Sequence, residues 1–142
     1  IPGVSTETLK LMRSVAVNER WRIGAQLVAY SSICARGNEN NLHQAGTTTD
    51  LNGNTRTFLG PGYAPGYAAL NLSTRYNVLS DLEFFARISN LFNHPYATAG
   101  AQAESPFNAA GEFQTDPQLW QRETFYAPGA PRAAWIGLRY RF

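Results

Sequence analysis

Residues 9–17 place Leu9, Leu11, Val15 and Val17 on one side of an extended chain and Lys10, Met12, Ser14 and Ala16 on the other, with Arg13 alone breaking the apolar side. A period of two sustained over that length predicts a strand. Asn18-Glu19-Arg20 predicts a tight turn, after which Trp21, Ile23, Ala25, Leu27 and Ala29 alternate with Arg22, Gly24, Gln26, Val28 and Tyr30 in a second strand over 21–31. The pattern returns over 67–78, where Ala68, Leu70, Leu72, Thr74, Tyr76 and Val78 oppose Tyr67, Ala69, Asn71, Ser73, Arg75 and Asn77. Past a short turn at 79–81, the run 82–92 sets Leu82, Phe84, Ala86, Ile88 and Phe92 against Glu83, Phe85, Arg87 and Ser89, and Asn90 interrupts the apolar side. The last run, 132–142, puts Ala134, Ile136, Leu138, Tyr140 and Phe142 opposite Ala133, Trp135, Gly137, Arg139 and Arg141.

Five strands are thus predicted, and their connections alternate in length. Those at 18–20 and 79–81 are short; those at 32–66 and 93–131 are long and punctuated by Gly and Pro, and no 3.6-residue apolar period persists anywhere. Connections beyond about 12–15 residues are uncommon in compact domains, whereas barrels of the outer-membrane type pair short periplasmic turns with long extracellular loops. The fold class this predicts is all-β, an antiparallel transmembrane β-barrel segment with extracellular loops at 32–66 and 93–131 and Phe142 at the periplasmic end. Aromatic levels agree with that orientation: Trp21, Tyr76, Tyr140 and Phe142 all fall on the apolar side near the short turns, where an interfacial girdle would lie, and Phe92 falls at the opposite end.

Composition changes the picture in one respect. Only 15% of the 142 residues are charged and 13% are aromatic, against roughly a quarter charged in soluble domains. No apolar run approaches the roughly 18 residues of a membrane-spanning helix, but a spanning strand needs only about 9–11 residues with alternate positions apolar. A net charge of +2 with scattered arginines implies no nucleic acid. The single cysteine, Cys34, cannot form an intrachain disulfide. The first residues, Ile1-Pro2-Gly3-Val4-Ser5, carry neither a basic nor an apolar leader, so the chain is expected to begin inside a longer polypeptide.

The same alternation also fits a soluble β-sandwich with one side as core. Strand length, loop rhythm and aromatic placement favour the barrel over that binding module.

Several motifs go further: Ile1-Pro2-Gly3 before the first strand, Arg36-Gly37-Asn38-Glu39-Asn40 in the first long connection, and Phe84-Phe85-Ala86-Arg87-Ile88-Ser89-Asn90-Leu91-Phe92-Asn93 followed by Tyr96-Ala97-Thr98. The most specific is Phe125-Tyr126-Ala127-Pro128-Gly129-Ala130-Pro131-Arg132 leading into an aromatic-ended strand. Along nearly its whole length the chain resembles the C-terminus of TonB-dependent outer-membrane receptors. The resemblance implies the last five strands of a barrel of about 22 that encloses an N-terminal plug. It further implies an outer-membrane location, energised uptake of a scarce ligand such as a ferric siderophore, and partners in outer-membrane lipid, the remainder of the barrel and the plug, the TonB complex and the barrel-assembly machinery. Ile136, Leu138, Tyr140 and Phe142 resemble the signal that this machinery reads. Arg13 on the lipid side, Asn38 in place of an acid and Cys34 in place of a bulkier residue depart from the family pattern. A plugless porin would share the same wall.

Chemistry finds little footing. His43 and His94 stand in different long connections with no nucleophile motif nearby, so no enzyme is expected. Cys34, Glu39 and His43 share a connection, but their spacing fits no familiar metal pattern, and neither metal nor other cofactor is expected. Phe58, Tyr63, Trp120, Arg122, Phe125 and Tyr126 are candidates for contacting a ligand or for packing the loops together. Arg75, Arg87, Arg139 and Arg141 are expected on the lumen side. Five strands are an odd number with two open edges, so the segment is expected not to transport alone and its last strand to close on a first strand outside this sequence.

Overall fold

The computed structural model describes residues 3–40, 43–49 and 51–142. Among them the chain runs β1 (Thr8–Ala16), β2 (Trp21–Tyr30), β3 (Ile33–Cys34), β4 (Gly46–Thr49), β5 (Thr55–Phe58), β6 (Tyr63–Ala64), β7 (Tyr67–Asn77), β8 (Leu82–Ser89), β9 (Ala97–Ser105), a single 3-10 turn at Pro117–Leu119, β10 (Gln121–Pro128) and β11 (Ala133–Tyr140). No helix among the described residues is long and apolar enough to cross a membrane. The strands belong to two compact units, one built on Glu7–Ser31, Gly66–Tyr96 and Gly129–Phe142, the other on Ser32–Pro65 and Ala97–Pro128 together with the first residues of the chain.

The first unit is a five-stranded antiparallel sheet in the order β1-β2-β7-β8-β11. Its register is continuous. Val15 pairs with Ile23 and Ile23 with Thr74, Thr74 with Ala86 and Ala86 with Ile136, so one row crosses all five strands on one face. A slip of one residue at any step would turn a strand's apolar positions to the polar side, and the alternation in each strand fixes the register against that. The short turns close by local chemistry. The Asn18 side-chain oxygen accepts from the backbone N–H groups of Arg20 and Trp21, each at 2.9 Å, and Val17 N donates to Trp21 O at 2.9 Å; Asx geometry of this kind stabilises tight turns.

Three expected strands form within one residue of their expected ends, and two differ more. The strand expected over 82–92 stops at Ser89, because Asn90 takes a φ of +49° and leaves the extended region. Phe92 is therefore not part of the strand's apolar side, and the interruption of the pattern at Asn90 marks a corner. The strand expected over 132–142 spans Ala133–Tyr140, with Phe142 beyond it.

The second unit is built from the long connections, which carry strands of their own. β4, β5, β10 and β9 form a four-stranded sheet in that order; β9 and β10 are antiparallel, and β5 meets β10 in a short parallel contact at Phe58 and Arg122. β3 and β6 pair separately. Small residues permit close packing. A Cβ added to Gly100 would lie 3.3 Å from the Ala35 Cβ, and Ala35 and Ala64 are both fully buried.

Candidate membrane-facing wall and its corner

On one face of the five-stranded sheet stand Leu9, Leu11, Val15, Ile23, Leu27, Leu70, Leu72, Ile88, Ile136 and Leu138, aligned by the register. Many of these remain open: Ile136 is 78% and Leu138 68% exposed. Toward the short turns the face ends in a row of larger rings. Trp21 pairs with Tyr76, Tyr76 with Phe84 and Phe84 with Leu138, next to which stands Tyr140. The Trp21 indole N–H donates to Thr74 Oγ1 at 2.8 Å, which satisfies its one polar atom without leaving the apolar face. Arg13 does lie on this face, paired with Ala25 in mid-strand. Ile136, Leu138 and Tyr140 form an exposed ladder on β11, and the Phe142 ring lies 5.8 Å from that of Tyr140.

The other face is polar. Arg22 pairs directly with Arg75, Ser73 with Arg87 and Gln26 with Asn71, and the Arg139 guanidinium meets the Glu83 carboxylate at 3.1 Å. Arg141 lies past β11, its backbone N–H donating to Asp81 O. At the end of this face away from the short turns, the rings of Tyr30, Tyr67 and Tyr96 follow one another, with centroids 5.2 Å and 4.2 Å apart.

The motif residues around Asn90 form a corner that ties two strands together. Asn90 is 3% exposed. Its side-chain N–H groups donate to His94 O at 3.0 Å and Ala130 O at 3.1 Å, its side-chain oxygen accepts from His94 N at 3.0 Å, and its backbone N–H donates to Asn71 Oδ1 at 3.0 Å. Asn93, also at positive φ, accepts from Arg132 N at 2.9 Å. Gly129 packs flat on the Tyr96 ring, where any Cβ would come within 2.1 Å of a ring carbon. The end of β8 and the Gly129-Ala130-Pro131-Arg132 approach to β11 are thereby held by one saturated amide. Buried side-chain amides that satisfy this many partners fix a single conformation.

In the second unit the candidate chemical residues do not converge. Glu39 accepts from Gly37 N at 3.1 Å, His43 Nε2 sits 3.2 Å from Gly60 O, and the Cys34 carbonyl accepts from Gly3 N at 2.8 Å. No group of metal-ligating side chains forms among the described residues. His94 belongs to the other unit, where its backbone serves Asn90. Arg122 lies over the Phe58 ring at 5.6 Å and faces Glu104 at 3.7 Å, Trp120 Nε1 donates to Gln114 O at 2.9 Å, and the Tyr126 hydroxyl reaches Tyr63 O at 3.4 Å, while Phe125 stays exposed. Sequence reasoning missed the polar core of this unit. The buried Thr124 hydroxyl accepts from Gly62 N at 3.1 Å, and the buried Asn38 donates to Gly62 O at 3.2 Å and accepts from His43 N at 3.0 Å. Nothing in the local pattern marks Thr124 or Asn38 as internal.

No family model and no curated protein matches the chain. Solved structures do. The ferric-catecholate import receptor Fiu of E. coli K12 in its closed form aligns with TM-score 0.61 and 18% identity over 99% of this chain and 15% of that one, and its open form with 0.57 and 18% over 95% and 15%. The siderophore receptor PiuA of Acinetobacter baumannii aligns with TM-score 0.62 and 14% identity over 98% of this chain and 14% of that one. The chain thus spans 14–15% of the length of these receptors. What the likeness establishes is the fold: an all-β, antiparallel stretch of the kind of barrel from which these siderophore receptors are built.

Proposed function

We propose that this chain is a sector of the barrel of a TonB-dependent outer-membrane receptor, the last five of its strands, which contributes wall and outer loops to the energised uptake of a scarce ligand such as a ferric siderophore. The observation that carries the reading is the continuous apolar face, from Leu9 on β1 to Tyr140 on β11, left open across five registered strands. A soluble sandwich would need that face as its buried core, yet Ile136 and Leu138 stand in the open. In a bilayer the same exposure is favourable, and the Trp21, Tyr76 and Tyr140 row would sit at one interface. On this reading the short turns and Phe142 are periplasmic and the segments 32–66 and 93–131 extracellular. Plug, TonB complex and the rest of the barrel are partners, and no catalytic role is assigned. The exposed ladder Ile136, Leu138, Tyr140 and Phe142 is the surface offered to the barrel-assembly machinery.

The two faces of the sheet each carry a tryptophan, which supplies the test. Trp21 is on the apolar face and Trp135, paired with Arg87, on the polar one. In phospholipid vesicles containing brominated lipids, a variant retaining only Trp21 is expected to be strongly quenched and one retaining only Trp135 weakly. Equal quenching of both, together with a monomeric, cooperatively unfolding chain in detergent-free water, would sink the proposal.

A further inference from the structure

Three guanidinium groups gather on the polar face of the sheet. Arg22 on β2 and Arg75 on β7 are directly opposed in the register, and Arg87 on β8 stands one diagonal step from Arg75, beside Ser73. Like charges placed directly opposite destabilise a strand pair, so this arrangement works against the sheet that contains it. Among the described residues none of the three forms an ion pair, whereas Arg139 on the same face does, with Glu83. Two carboxylates, Glu19 of the short turn and Glu83, line an adjoining hollow together with Arg20, Arg22 and Arg75, and Glu83 is paired with Arg139, so arginines outnumber acids around this face.

The space between the arginines is shaped as well as charged. They line one hollow of about 480 Å³ together with Arg13, Gly24 and Ser73. A Cβ at Gly24 would come within 2.6 Å of Ser73 Oγ, so the glycine lets the Ser73 hydroxyl lie close over the β2 backbone. Gln26 and Asn71, which border the hollow, are tied to each other at 3.2 Å, and Asn71 is further engaged by Asn90. The planar donor forks of arginine match the paired oxygens of carboxylates and phosphates.

We propose that Arg22, Arg75 and Arg87, beside Gly24 and Ser73, form an oxyanion seat on the polar face of the wall, which takes a carboxylate or phosphate group. The seat rests on the geometry of this sheet alone and stands whether or not the chain works in uptake. Its oxyanion has two sources, a free solute or an acidic side chain of a polypeptide lying against the face.

The test uses the isotope-labelled 142-residue chain in detergent micelles, following the Gly24 amide and the arginine Nε–H resonances. One arm titrates inorganic phosphate; the other titrates hexaglutamate, with hexaglutamine as its neutral control. A saturable shift in at least one arm is expected, weakened at least tenfold by Arg75→Gln and by Arg87→Gln and unchanged by Arg139→Gln, whose guanidinium is already committed to Glu83. Saturation by phosphate alone assigns the seat to a free solute, by hexaglutamate alone to a polypeptide carboxylate. Arg75→Lys, which keeps the charge and removes the fork, is expected to bind with intermediate affinity, and it separates loss of the seat from loss of the fold. Absence of saturation in both arms, equal shifts with hexaglutamine, or affinity indifferent to the Arg75 and Arg87 substitutions overturns the proposal.

Discussion

The two units differ in what they bury. In the five-stranded wall the large apolar residues point outward: Ile136 and Leu138 are open, and the buried set shrinks to Ala69 and the corner residue Asn90. In the unit built from the long connections the inside holds small and polar groups, Ile33, Ala35, Ala64, Asn38, Ser105 and Thr124, and hydrogen bonds replace apolar bulk as the organising interaction. The wall has no core of the kind water demands. Its strands are held by backbone pairing, and the other unit by a small interior closed against water.

The sharpest way to break that contrast is to place the same charge on two exposed, leucine-sized side chains. Ile136→Arg, on the wall, is expected to cost about 2–4 kcal/mol if it lies near the bilayer midplane, read by urea unfolding of the chain in phospholipid vesicles. Leu119→Arg in the second unit, where Leu119 is also exposed, is expected to stay within about 0.5 kcal/mol. Equal costs would mean that the apolar face meets no lipid.

Next in size is the corner. Asn90→Ala removes three side-chain hydrogen bonds and leaves a non-glycine residue without a polar side chain at positive φ. A loss of about 2–3 kcal/mol is expected, with faster proteolysis between residues 129 and 132 as the local readout. If cleavage there is unchanged, Asn90 does not hold the approach to β11.

Thr124→Val addresses the second unit by itself. It keeps the shape and removes the acceptor for Gly62 N–H, at an expected cost of about 1–2 kcal/mol. Hydrogen exchange should accelerate at Gly62 and leave the β2 and β7 amides unaltered. The smallest effect belongs to Arg139→Gln, which breaks a pair whose arginine side chain is half exposed. In detergent it should cost no more than about 1 kcal/mol, and the difference should fade with added salt.

How much of this was legible follows from range. Faces of the wall were readable because a strand states its own orientation every second residue; the register that aligns Trp21, Tyr76, Phe84 and Leu138 across the strands appears only in the structure. Arg13 was readable too, as a misfit on the apolar face, and that is where it lies. The corner was not. Asn90 falls in phase with the apolar side of 82–92, and only its positive φ, invisible in the pattern, shows that the strand has ended. β9 was hidden for a different reason: Ala97–Ser105 is made of small and polar residues with no apolar contrast, and it gains definition only from β10. The polar hollow joined Arg22 to Arg75 and Arg87 through pairings between distant strands, which no single stretch of sequence displays.

The short parallel contact between Phe58 and Arg122 ties β5, from the first long connection, to β10, from the second. Closing a loop of that length is slow and entropically costly, so this sheet should be among the last parts of the chain to form. It also makes the two connections a single heritable unit. An insertion tolerated in one has to leave its partner strand within reach of the other, and the pair should change length together as sequences diverge.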